Sequence, residues 1–125
     1  MSILPEKNEC GARVVKTVRN GVGMVILKGW AAQILENPSG IRQRGGQTYT
    51  VLSICRMLYT LQYGSVVSKH LAARWAQENL CNRWEPLIER TWEGRHNPGV
   101  DASPEEVNET LGFIRYALEY IGEPV

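Results

Sequence analysis

Two cations thirteen residues apart, Arg56 and Lys69, carry the strongest chemical signal in the chain. Lys69 follows Ser68 in "GSVVSKHLAARWA" (64–76), where the serine stands as a helix cap. A lysine in the first helical turn opposes the helix dipole, at a cost of about 0.3–1 kcal/mol. It also sits beside backbone N–H groups that have no intrahelical partner. Such a residue is a poor choice for stability and a good one for holding a phosphate or carboxylate; a solvated lysine that tolerates the penalty is the alternative. Arg56 lies in "YTVLSICRMLYTLQ" (49–62), a segment apolar almost all round, where an unpaired guanidinium carries a large desolvation cost. Either a glutamate such as Glu89 or Glu106 offsets it, or Arg56 and Lys69 converge on one anion, the arginine as a planar fork and the lysine as a point charge. Trp92, between Arg90 and Arg95, is a third candidate, for stacking on a ring or base, with core packing as its alternative.

Other chemistries lack the residues they need. Asp101 is the one aspartate and the glutamates fall mostly on solvent faces of the third to fifth helices, so the pattern shows no clustered carboxylates to hold magnesium for phosphoryl transfer. No phosphate-cradling G-x-x-x-x-G-K-S/T loop and no G-x-S-x-G elbow occurs. His70 and His96 have no companion at metal-ligand spacing. No catalytic residue and no metal ligand is assigned. Cys10, Cys55 and Cys81 are odd in number and widely spaced, which predicts reduced thiols and a cytoplasmic protein rather than a disulfide framework.

The elements that must position these residues read as helices. With 125 residues, 43% hydrophobic and 22% charged, the chain is long enough for one core and has the composition of a soluble domain. Its longest apolar run, Met24 to Leu35, is interrupted by Lys28 and Gly29 and is too short for a bilayer, so no membrane partner is expected. The net charge of +1 makes no case for nucleic-acid binding. The charge is uneven, however. Residues 1–60 carry eight Lys/Arg against three Glu, and residues 61–125 carry six against ten acids.

Residues 1–23 form a lead-in in which Asn20-Gly21 is either a hairpin turn or part of a frayed approach to a helix. Residues 24–125 read as a helical bundle. The spacing predicts helices over Met24–Glu36, ended by Asn37-Pro38, and over Tyr49–Gln62, closed by Gly64, with "IRQRGGQ" (41–47) a basic loop between them. A third helix runs from Ser68 to about Leu80 with Leu71, Ala72, Trp75 and Ala76 inward. Asn82 and Glu85 suggest a capping pair for a fourth, which buries Trp84, Leu87, Ile88, Thr91 and Trp92. Ser103-Pro104-Glu105-Glu106 starts a fifth, with Val107, Leu111, Ile114, Leu118 and Ile121 as its stripe and Gly122 as its end. The expected fold is all-α, a bundle of four to five helices.

The segments "VLSICRMLYTL" (51–61), "GSVVSK" (64–69) and "AARWA" (72–76), followed by "LCNRWEPLIERTW" (80–92), resemble the C-terminal helical domain of aminoglycoside nucleotidyltransferases of the streptomycin/spectinomycin type. The similarity spans roughly residues 25 to 121. It implies a domain that closes the cleft of a β-rich catalytic domain, with ATP and antibiotic bound between the two. In that resemblance Arg56 and Lys69 correspond to the residues that reach the nucleotide phosphates, and Trp92 to an aromatic on the nucleotide side. The catalytic motifs of the partner domain, including its D-x-D magnesium ligands, do not occur in these 125 residues. The expectation is therefore a stand-alone nucleotide-phosphate or anion-binding module, of a kind carried on mobile gene cassettes, without transferase activity alone, whose bare domain-facing surface makes it a homo-oligomer or recruits a separate partner. Magnesium would enter only with a catalytic partner domain. "NPSGIRQRGG" (37–46), where the family places acids for its cationic antibiotic, holds two arginines and no acid, so an aminoglycoside is expected to be repelled. Two other readings stay open: a HEPN-like ribonuclease using Arg90 and His96 of "RTWEGRH" (90–96), and a structural homo-oligomer with no ligand.

Overall fold

The computed structural model describes residues 21–121. Five α-helices occupy them: α1 (Gly21–Glu36), α2 (Arg44–Tyr63), α3 (Lys69–Asn79), α4 (Glu85–Gly94) and α5 (Pro104–Tyr120). One-turn 3-10 helices, Pro38–Ile41 and Asn82–Trp84, precede α2 and α4. The all-α bundle expected from the sequence is the observed fold, with no strand among the described residues. None of these helices is long and apolar enough to cross a membrane.

α2 is the central element and packs against each of the other four helices. Its Val51, Leu52, Ile54, Cys55, Leu58 and Leu61 are fully buried, as a helix apolar on nearly all sides requires. It begins at Arg44, five residues earlier than the apolar pattern suggests, so most of the predicted basic loop is helical. The cause lies elsewhere in the chain. The N–H groups of Arg44 and Gly45, which a helix start leaves unpaired, donate to the carbonyls of Val100 and Pro98, each at 2.8 Å. A Cβ on Gly45 would lie 2.8 Å from that of Pro98, and one on Gly46 would overlap the Gly40 carbonyl oxygen. The glycine pair admits neighbouring backbone instead of breaking the helix. Gln47 Nε2 and Thr48 Oγ1, both buried, donate to the carbonyls of Ile41 (3.0 Å) and Thr91 (2.8 Å).

Other expectations need adjustment. α1 begins at Gly21 and not at Met24, so Gly21 belongs to a helix and not to a hairpin turn; Asn20 lies outside the described residues. On α3, Leu71 is 59% exposed and Ala73 is buried in its stead, because the face of Ala72, Ala73 and Ala76 packs inward. Asn82 opens the 3-10 turn, and α4 starts at Glu85 with Trp84 at the cap position. α5 has the expected capping box: Ser103 Oγ accepts from the Glu106 N–H and Glu106 Oε1 from the Ser103 N–H. Its buried ridge is Thr110, Phe113, Ile114, Tyr116, Ala117 and Tyr120, while Val107, Leu111 and Leu118 lie half-buried at the margin. Gly122 lies outside the described residues.

The cysteines divide. Cys55 is free, and burial pushes its thiol from the ordinary 9.0 up to about 12. Cys81 is disulfide-bonded, which corrects the expectation of reduced thiols throughout. Its bonding partner lies outside the described residues. Wide spacing along the chain argued against a bridge, but the distance that matters to a disulfide is the one in space.

Candidate functional site

On α2, Tyr49, Ser53, Arg56 and Thr60 recur at intervals of four, three and four and so share one face. Gly64, with φ 81°, ends the helix in a left-handed cap. The strap formed by residues 64–68 then returns along that face. Thr60 Oγ1 donates to the Ser65 carbonyl (2.9 Å) and Arg56 Nε to the Val67 carbonyl (3.0 Å). One residue further, Ser68 Oγ accepts from the Leu71 N–H (3.1 Å) and caps α3. Lys69, the first residue of α3, extends to Tyr49, its Nζ 5.5 Å from the ring centroid. Tyr49 stands seven residues before Arg56, about 10 Å along the helix axis. Both candidate cations therefore lie along the same face of α2.

Neither has an acidic partner within 4 Å among the described residues. The glutamates that the sequence offered to Arg56 are engaged elsewhere. Glu106 pairs with Arg44 and Arg90, and Glu89 accepts from Gln77 Nε2 (2.9 Å). Only Nε of the Arg56 guanidinium is used, which leaves its two terminal nitrogens without a protein partner among the described residues.

Trp92, half-buried on α4, is joined to the start of α3 through His70. The two rings stack at 4.8 Å with 24° between their planes. The Arg95 guanidinium lies 3.8 Å from the centroid of the Trp92 ring. The indole is thus already in contact with two protein groups, and a base stacking on it must displace one of them. Tyr49, His70 and Arg95 are members of this cluster that sequence reasoning did not single out. The position of Tyr49 on the Arg56 face was the one signal available in the pattern.

Tyr49 also borders a groove of about 490 Å³ whose lining includes Trp30, Gln33, Glu36, Asn37 and Thr50. Trp30 meets Tyr49 edge to face at 6.1 Å. Arg42 and Arg44, expected to repel a cationic ligand from this region, do not line the groove. Arg44 is paired with Glu106, and Arg42 borders a separate pocket with Asp101. Glu36 is the one charged residue of the groove lining. Arg90 and His96, the ribonuclease pair, are not drawn into a common site by any contact. Arg90 is ion-paired to Glu106 and Glu109, and His96 is exposed beyond the end of α4. No group of three or more potential metal ligands occurs among the described residues.

The family model described as "Aminoglycoside adenylyltransferase, C-terminal domain" matches residues 13–119. No curated protein and no solved structure matches the chain.

Proposed function

From the premise that this chain belongs to the family of aminoglycoside adenylyltransferase C-terminal domains, we propose that it binds the phosphate groups of a nucleotide such as ATP through Arg56 and Lys69. The observation that carries this reading is the absence of a carboxylate beside either cation, among the described residues, on a face that holds both. The free fork of Arg56 suits two phosphate oxygens and the ammonium of Lys69 a third. The capped start of α3 adds its dipole to the same attraction. Trp92 contributes on the nucleotide side, with His70 and Arg95 as the groups a base would meet first.

Nucleotidyl transfer needs clustered carboxylates that hold magnesium; the one aspartate is exposed in the loop before α5, and no group of three or more potential metal ligands occurs among the described residues. The chemistry is therefore assigned to a catalytic nucleotidyltransferase domain acting as partner, with this domain as the phosphate-binding wall. Calorimetric titration with ATP and with inorganic tripolyphosphate tests the binding step. The wild type should bind both, and Lys69→Ala and Arg56→Ala should each weaken binding by about tenfold or more. A wild type that shows no binding at millimolar ligand sinks the proposal.

A second reading, self-association, is favoured by Val25 and Ile26 on α1, which are 69% and 56% exposed. A monomeric mass by light scattering across the micromolar range would remove it.

A further inference from the structure

Of the strap 64–68 that carries Lys69, only Val67, half-buried, packs against the core. Val66 is 74% exposed, and Ser65 and Ser68 are exposed as well. The backbone bonds at its two ends, Gly64 N–H to Thr60 O and Ala72 N–H to Ser68 O, belong to the helix termini. What ties the middle of the strap to α2 is a pair of side-chain donors from consecutive turns, Thr60 to the Ser65 carbonyl and Arg56 to the Val67 carbonyl.

Thr60, like Thr48, sends its hydroxyl out of α2 instead of back along it. A threonine within a helix ordinarily returns its hydroxyl to a carbonyl three or four residues back. Thr91 does so to Ile88 (2.9 Å) and Thr110 to Glu106 (2.9 Å). Thr60, also inside a helix, donates forward to a residue five places on and outside the helix.

We infer that Thr60 is a positioning residue for the Arg56–Lys69 anion site, fixing the strap at Ser65 so that Arg56 holds it through Nε alone. The inference rests on the phosphate-binding reading above. With Thr60 in place, the terminal nitrogens of Arg56 stay available to a ligand and the first turn of α3 is held where Lys69 meets Tyr49. Without it, the guanidinium makes the one remaining side-chain hydrogen bond from α2 to the strap, beside the packing of Val67, and the ligand must order the Ser65 end and the lysine on binding, at a cost in affinity.

The test is tripolyphosphate affinity in Thr60→Val, which exchanges the hydroxyl for a methyl of similar shape. Affinity should fall by about two- to fivefold, the low end for a neutral hydrogen bond because this one is open to water. Thr60→Ser should restore it. The salt dependence of binding should be unchanged in Thr60→Val, since the same charges meet the ligand, and reduced in Lys69→Ala. Thr60→Ala provides the same comparison if thermal unfolding shows that valine disturbs α2. Wild-type affinity in Thr60→Val, or a loss that serine does not restore, overturns the positioning role alone. A wild type that does not bind tripolyphosphate overturns the site reading itself.

Discussion

Arg44 and Arg90 lie at one end of the bundle, Arg56 and Lys69 beside the strap, and the two pairs of cations are held by opposite means. At the first, Glu106 Oε2 lies 3.3 Å from Arg44 Nη2 and 3.7 Å from Arg90 Nε, and Arg90 Nη1 donates to Glu109 at 2.7 Å. Glu106 also closes the cap of α5, so one carboxylate joins α2, α4 and α5. At the second, the anchors are a backbone carbonyl and an aromatic ring. A carboxylate positions a cation and cancels its charge. A carbonyl or a ring positions it and leaves the charge available. The first arrangement serves the fold and the second suits a ligand.

The largest expected effect breaks the paired end. Glu106→Ala should cost about 1–3 kcal/mol of stability, read by denaturant unfolding, because the carboxylate half of the capping box is lost, while Ser103 Oγ still caps α5, and two guanidinium groups lose their shared partner. The ion pairs are partly exposed, so they supply the smaller share. Anion binding at Arg56 and Lys69 should survive at temperatures where the variant is folded. Next is Arg56→Lys, which keeps the charge and removes the fork. An ammonium cannot hold Val67 and two phosphate oxygens in one plane, so affinity should fall by about three- to tenfold with the charge count unchanged. Wild-type affinity in this variant would mean that only charge matters there.

Cys55, one residue before Arg56, is fully buried. Its thiol has a folded value of about 12 against an ordinary 9.0. A raised folded value means that the unfolded chain loses its proton first. The contribution is whole below pH 9 and is lost as pH rises toward 12. Stability should fall by about 1 kcal/mol between pH 9 and 10 from this group, and Cys55→Ala should flatten that part of the curve. The smallest effect sharpens the contrast most. Lys69→Glu should leave stability within about 0.5 kcal/mol of the wild type, the helix-dipole gain offsetting the lost ring contact, while anion binding disappears. A clear loss of stability would make Lys69 a structural residue like Arg44.

How much of this was legible depended on how far apart the interacting residues lie. The cap of α5 was plain from Ser103 to Glu106, because both halves of a capping box fall within four residues. Ser68, Asn37-Pro38 and Gly64 marked element ends for the same local reason. The start of α2 was misread because Gly45 and Gly46 look like breakers until Pro98 and Gly40 are seen to need the space of a side chain. Leu71 was placed inward on periodicity, which locates a stripe without saying which of two neighbouring stripes meets the core. Arg56 and Lys69 attracted notice because each violates a local preference. Tyr49, His70 and Arg95 violate none.

The sequence by itself determined the all-helical class, the main punctuation and the two cations whose positions cost stability. These follow from interactions spanning a turn or less of helix. Only the tertiary structure decided which cations are neutralised and which are not. Glu106 reaches Arg44 across sixty-two residues, and Val67 reaches Arg56 only because a five-residue strap folds back along α2. The reason is physical: charge compensation depends on distances of a few ångströms in space, and a pattern along the chain does not contain them.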